Sequence, residues 1–242
     1  MTDPDTTYFF MHIMKTGGTT FIQHVNENFP PEAIYPASGQ KMDRLSAYFT
    51  TDGLRSLTPE QRQKIRVYTG HFPFAVSQLV EADVVLTILR HPVERTLSYL
   101  RHCKRYRAYM ADMTLEQIYD DPWLFAVRIH NYQAKLFSMT TDDKLASDLE
   151  VVDVDARRLE IALENLEHVA VIGLHERYGA FLETLRTQHG WTIGGVPDLR
   201  VTEARDDEIP ANLRERIAAD NAADMILYER ACELYAARSA CS

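Results

Sequence analysis

The sequence predicts an α/β fold with a central parallel sheet. Strand-like runs alternate with helical periodicity along the whole chain, as they do in doubly wound sheets. The runs Tyr8–Ile13 and Asp83–Leu89 are almost continuously apolar, which is what a strand covered by helices on both faces requires. Lys15, His71 and Arg90 each lie at or just after the carboxyl end of a strand-like run, where ligands bind in such sheets. A chain of 242 residues without a Pro/Gly/Ser-rich linker or an internal repeat is expected to form a single domain over 1–242.

The first strand leads through Lys15, Thr16, Gly17 and Gly18 into a helix from Thr19, on which Phe21, Ile22, Val25 and Phe29 recur about a turn apart. Pro30 to Thr58 reads as loop with short helical pieces. Thr58, Pro59 and Gln61 are the N-cap, first and third positions of a capped helix. Val67–His71 is a second strand, Asp83–Leu89 a third, and Pro92 opens a helix with Val93, Leu97 and Leu100 on one stripe and Glu94, Ser98, Arg101 and Arg105 on another. Helices are expected over Thr114–Tyr119, Trp123–Phe137 and Ala156–Leu166. Val169–Gly173 is a fourth strand, and a helix from Glu176 ends at Gly190. Gly194–Ile209 reads as loop, and Ala211–Ala237 as one long amphipathic helix whose stripe Asn221 and Asp224 interrupt.

Composition narrows the function. The net charge of −9 argues against nucleic-acid partners, which need an extended basic face. The cluster Arg90, Arg95, Arg101, Lys104, Arg105 and Arg107 is either a local basic pocket or a solvated helix face. The start MTDPDTT lacks the basic and apolar regions of a leader, and no apolar run is long enough to cross a bilayer, so the expected location is cytoplasmic. Cys103, Cys232 and Cys241 lack metal-site or disulfide spacing and read as reduced thiols.

The chemistry concentrates at Lys15–Thr20. Glycines allow a sharp turn, and a helix starting there directs unpaired N–H groups and its positive dipole end toward an anion. A Walker A loop carries its lysine after the last glycine; here Lys15 precedes Gly17 and Gly18, so this is not an ordinary ATP or GTP loop. His71 and Arg90 also follow strand ends, which aims three strands at one site. Taken singly, Arg90 also fits an ion pair with Glu94, Ser98 a plain helix-surface serine, and His71 a packed strand-end histidine.

HIMKTGGTTF resembles the 5′-phosphosulfate loop, and LRHPVERTLSYL the 3′-phosphate motif, of sulfotransferases that use 3′-phosphoadenosine 5′-phosphosulfate, especially the heparan sulfate 2-O-sulfotransferase-like branch and its bacterial relatives. The resemblance implies a P-loop-NTPase-like three-layer fold and sulfuryl transfer to an acceptor without a metal. It implies that Lys15 acts on the bridging oxygen, that Thr16, Gly17, Gly18, Thr19 and Thr20 hold the 5′-phosphate, and that Arg90 and Ser98 hold the 3′-phosphate. His71 matches the position of the general base, and Arg205 is the candidate on a loop closing over the nucleotide. The histidine at His91 departs from the acidic residue usual there. The acceptor is expected to be a small hydroxylated metabolite, a glycolipid or an oligosaccharide. Two other functions fit the residues: a small-molecule kinase with a variant P-loop, and a non-catalytic protein that binds adenosine 3′,5′-bisphosphate.

Overall fold

The computed structural model describes residues 5–36, 51–143, 150–194 and 209–240. Among these, five parallel strands form one sheet in the order β2-β3-β1-β4-β5: β1 (Tyr8–Met11), β2 (Ile34–Tyr35), β3 (Val67–Gly70), β4 (Val84–Leu89) and β5 (Val171–Leu174). The four expected strands are present. β2, within a stretch read as loop, is a two-residue edge strand between Pro31 and Pro36, too short to show a period of two.

The helices are α1 (Gly18–Asn28), α2 (Pro59–Lys64), α3 (Pro92–Tyr106), α4 (Leu115–Tyr119), α5 (Tyr132–Ser138), α6 (Ala156–Glu167), α7 (Tyr178–His189), α8 (Ala211–Asp220) and α9 (Ala222–Ala240), with shorter turns between them. The capping box at α2 forms as expected: the Thr58 hydroxyl accepts from the N–H of Gln61 and the Gln61 side chain accepts from the N–H of Thr58. Gly190, at φ 65, closes α7.

Alternation along β1 sends Tyr8 and Phe10 to one face and Phe9 and Met11 to the other. The first pair packs with Phe21 and Val25 of α1, Phe181 and Leu182 of α7, and Trp191. The second packs with Leu136 and Phe137 of α5, Ala162 and Leu166 of α6, and Leu227 and Ala231 of α9. This is a three-layer α/β sandwich. A third apolar cluster joins Val93, Leu97 and Leu100 of α3 to Leu115 and Ile118 of α4 and Leu213 and Ile217 of α8.

Two expected helices are broken, and the breaks meet. Trp123–Phe137 is interrupted by a π-helical turn over Phe125–Ile129 and by Asn131 at φ 47. The C-terminal helix stops at Asn221 and restarts at Ala222. Asn131 Oδ1 accepts from the N–H groups of Ala223 and Asp224, at 3.0 and 3.1 Å, while the Asp224 carboxylate accepts from those of Gln133 and Ala134, at 3.2 and 2.7 Å. Asn221 Oδ1 accepts from Asn131 N–H at 2.8 Å. Each helix start thus has its unpaired donors satisfied by a residue of the other. The interruption of the stripe at Asn221 and Asp224 is this buried network.

No helix among the described residues is long and apolar enough to cross a membrane.

Candidate active site

β1 lies between β3 and β4, with Met11 opposite Gly70 on one side and Thr87 on the other. Neighbouring strands are about 4.8 Å apart, so the residues just past their carboxyl ends are neighbours. Lys15, His71 and Arg90 all follow these three ends.

After β1 the backbone folds sharply. Lys15 takes φ 70 and Gly17 φ 103, and α1 begins at Gly18. A left-handed conformation is uncommon for a residue with a side chain, and such conformations cluster at functional sites. Gly18 permits no Cβ, because one built there would stand 2.1 Å from Cδ2 of His12. The imidazole of His12 therefore fills the place of a side chain, and the start of α1 rests on it. The N–H groups at the first turn of α1 are those a helix leaves without partners, open to an anion.

The loop threonines differ in what they offer. Thr16 is buried, and its hydroxyl donates to the Ile13 carbonyl at 2.9 Å. It braces the turn, and donating to a 5′-phosphate would require that bond to break. Thr19 is exposed and Thr20 partly so, which leaves their hydroxyls at the surface of the turn.

Two arginines of the second motif hold the loop. Arg90 Nη1 donates to the Lys15 carbonyl and Arg95 Nε to the Met14 carbonyl, each at 3.3 Å. Glu94 pairs with Arg214 of α8 at 2.7 Å, so the expected alternative of an Arg90–Glu94 ion pair is replaced by one that ties α3 to α8. Arg90 feels the Glu94 and Glu176 charges from a distance. Ser98 is part-exposed on α3, about two turns from Pro92.

The pocket is electropositive in an acidic chain. The Lys15 ammonium is held below the usual lysine range first by burial and then by Arg90, Arg95 and Arg105. A cation surrounded by cations is stabilised by an anionic ligand that neutralises them. Arg95 is fully buried 4.2 Å over the Tyr132 ring, and Nη1 and Nη2 lack hydrogen-bond partners. The cluster from Arg90 to Arg107 is therefore neither wholly pocket nor wholly solvated face: Arg95 lies inside and Arg105 is exposed.

His71 faces the loop from the other side. Its Nδ1 lies 2.7 Å from the His12 carbonyl, and the two rings are 4.5 Å apart. A carbonyl only accepts, so Nδ1 carries the hydrogen and the neutral ring keeps its lone pair on Nε2. Burial pushes the His71 pKa down to about 4; the bond to His12 opposes this, and the Arg128 charge adds to it. Burial, His71 and Lys15 push His12 the same way.

In the sequence His12 has only a weak case as the strand residue before the loop, Arg95 appears only as one member of the basic cluster, and Arg128 and Gln133 do not stand out. Arg95 lay in plain view inside the second motif, but its burial follows from α3 packing on Tyr132, which no local pattern encodes. Arg128 and Gln133 fall in a segment that reads as ordinary helix. Arg205 lies outside the described residues.

Fold and site define a class: a P-loop-like α/β protein with a glycine-containing turn into a helix after its first strand and an arginine motif after a neighbouring one. No known family profile matches the chain. It is 27% identical over 279 aligned residues to heparan-sulfate 6-O-sulfotransferase 2 of Gallus gallus, covering 95% of this chain and 66% of that protein. The Homo sapiens protein of the same name is also 27% identical, over 95% of this chain and 44% of its own length. The chain thus spans two thirds or less of the length of these curated relatives. The crystal structure of a sulfotransferase from Alicyclobacillus acidocaldarius superposes with a TM-score of 0.51 at 14% identity, covering 94% of this chain and 95% of that one. These similarities are to sulfotransferases, and they support a family that uses 3′-phosphoadenosine 5′-phosphosulfate. The curated relatives named here are of the 6-O type.

Proposed function

We propose that this chain is a sulfotransferase that moves the sulfuryl group of 3′-phosphoadenosine 5′-phosphosulfate to a hydroxyl of a carbohydrate, glycolipid or small metabolite. The observation that supports the reading is the position of His71, Lys15 and Arg90 past the ends of adjacent strands β3, β1 and β4, with Arg90 bonded to the Lys15 carbonyl and His71 to that of His12. The relatives' names, which specify sulfation of heparan sulfate, support a carbohydrate acceptor.

In this reading the first turn of α1 holds the 5′-phosphate with its N–H groups, helped by Thr19 and Thr20. Arg90 and Ser98 hold the 3′-phosphate, for which a guanidinium and a hydroxyl are suited donors. His71 Nε2 takes the proton of the acceptor hydroxyl as its oxygen bonds to sulfur. The bond from sulfur to the 5′-phosphate oxygen breaks, its electron pair stays on that oxygen, and the Lys15 ammonium stabilises the new charge. Such transfers depend on positioning and charge stabilisation, and a preorganised cationic site supplies both. Arg205 is kept as a candidate for covering the nucleotide. A cytoplasmic setting goes with the reading, supported by the free thiols Cys103 and Cys232.

The test has two parts. Adenosine 3′,5′-bisphosphate is expected to raise the melting temperature of the full chain, and ATP with magnesium to leave it unchanged. A radiolabelled sulfuryl donor is then offered with a panel of oligosaccharides and hydroxylated metabolites. Stabilisation by ATP with magnesium but not by the bisphosphate overturns the donor assignment; bisphosphate binding without transfer to any member overturns the enzyme assignment.

A further inference from the structure

Gln133 stands at the second position of α5 and is fully buried. Its side-chain amide makes to Arg90 the two bonds that an adjacent strand would make to one residue. Oε1 accepts from the Arg90 N–H at 3.2 Å, and Nε2 donates to the Arg90 carbonyl at 2.9 Å. The last paired residue of β4 is Leu89, opposite Leu174, so Arg90 is where the ladder stops and its own peptide groups need another partner. A primary amide carries an N–H donor and a carbonyl acceptor side by side, which matches the spacing of a peptide's own donor and acceptor.

The backbone that bears the amide is itself held. The Gln133 N–H donates to Asp224, whose carboxylate also accepts from Ala134. Arg90 then reaches forward to the Lys15 carbonyl. A continuous series of hydrogen bonds therefore runs from α9 through Gln133 and Arg90 to the turn that carries Lys15.

We infer that Gln133 is a positioning residue for Arg90 and through it sets the affinity for a 3′-phosphate. The inference rests on the donor reading above. The direction of a guanidinium follows from the backbone that bears it, and a two-point grip on a phosphate tolerates little displacement. Without the amide, the Arg90 peptide is free to rotate at the strand end, and the side chain loses its aim while its charge remains.

The experiment measures equilibrium affinity of the full chain for adenosine 3′,5′-bisphosphate and for adenosine 5′-monophosphate, which lacks the 3′-phosphate. Gln133→Met keeps the volume and removes both bonds; Gln133→Glu keeps an acceptor for the Arg90 N–H and removes the donor. Melting without ligand checks that each variant is folded, and Glu serves where Met is not. Expected is about a tenfold weakening for the bisphosphate in Gln133→Met, from two lost hydrogen bonds, with the monophosphate changed less than about twofold. In an Arg90→Ala background Gln133→Met is expected to add nothing, because both changes act on one interaction. Equal losses for the two nucleotides, no loss for either, or additivity with Arg90→Ala would each overturn the inference. A wild-type chain that does not prefer the bisphosphate overturns the donor reading itself, which the wild-type titrations show before any variant is made.

Discussion

The Nδ1–H of His71 donates to the main-chain carbonyl of His12, so the residue at the end of β3 has its tautomer set by the residue at the end of β1. The strand that carries the glycine turn thereby also orients the histidine beside it. If Nε2 takes the acceptor proton, His71→Ala is expected to lower sulfuryl transfer by about 10² to 10⁴, the usual contribution of a general base. Affinity for adenosine 3′,5′-bisphosphate is expected to stay within about twofold, since the loop, Arg90 and Ser98 are untouched. Single-turnover transfer and equilibrium titration check the two halves. Transfer near the wild-type rate removes His71 from the proton-transfer step.

The lowered histidine pKa values predict the pH response. For His71 and His102, both pushed down to about 4 chiefly by burial, the unfolded chain binds a proton from about pH 6.5 downward and the folded chain does not until about pH 4. Stability is therefore lost as pH falls through that window. Asp224 acts in the opposite sense: burial raises it to about 6, so below that pH the folded state holds a proton the unfolded state lacks, and stability is gained. His71, His12, which is lowered in the same direction, and the half-buried His102 together outweigh the one aspartate, so the net effect near pH 5 is a loss of stability. Urea midpoints at pH 7 and pH 5 measure it, and an unchanged or rising midpoint at pH 5 contradicts the burial of these rings. With His71 as the proposed base, which must be neutral in the free enzyme, the acid limb of kcat/KM is expected near pH 4 rather than near 6.5.

The parts of the site written in contiguous residues were legible in the sequence. The apolar run, the glycines and the early lysine mark the turn after β1, and LRHPVERTLSYL marks the strand end and helix of the second motif. The breaks at Asn131 and Asn221 were not, because each is stabilised by the other across about 90 residues of chain, and periodicity counts only neighbours. The roles of Arg95 and Gln133 were hidden for the same reason. An arginine over a tyrosine ring and a glutamine bridging a strand end are made by packing, and their residue types are ordinary for helices. β2 escaped notice because two residues between prolines show no pattern at all.

Gly18 is expected to tolerate no side chain. In Gly18→Ala the new methyl group would stand 2.1 Å from Cδ2 of the His12 ring, far inside van der Waals contact, so that ring or the start of α1 must move. His12 stacks on Phe10 with centroids 5.5 Å apart and touches His71, so it has little room to give way. The expected result is at least about a tenfold loss of nucleotide affinity together with a lower melting temperature, since overpacking costs roughly 1–3 kcal/mol. Gly17→Ala acts through the backbone instead, because φ 103 disfavours any Cβ; it is expected to lower stability by about 1–2 kcal/mol. Titration with the bisphosphate and thermal melting separate the two, and a Gly18→Ala chain that binds as the wild type does would mean that the His12 contact is not maintained in solution.

The reciprocal caps predict an energetic coupling between α5 and α9. Asn131→Ala removes the acceptor for the N–H groups of Ala223 and Asp224, and Asp224→Ala the acceptor for those of Gln133 and Ala134. Loss of an N-cap costs about 1 kcal/mol, and burial of the donors left behind raises the figure to about 2–3 kcal/mol for each variant. The two losses are not expected to add. When Asn131 is gone, the start of α9 loosens, and the Asp224 carboxylate no longer stands where Gln133 and Ala134 need it, so the double variant falls short of the sum by about 1 kcal/mol or more. Asp224→Asn is the milder test, since it keeps one acceptor oxygen and adds a buried donor without a partner. Urea unfolding of the wild type, both single variants and the double variant measures the coupling. Strict additivity would mean that the two helix starts are held independently, and that Asp224 does not depend on Asn131 to orient Gln133.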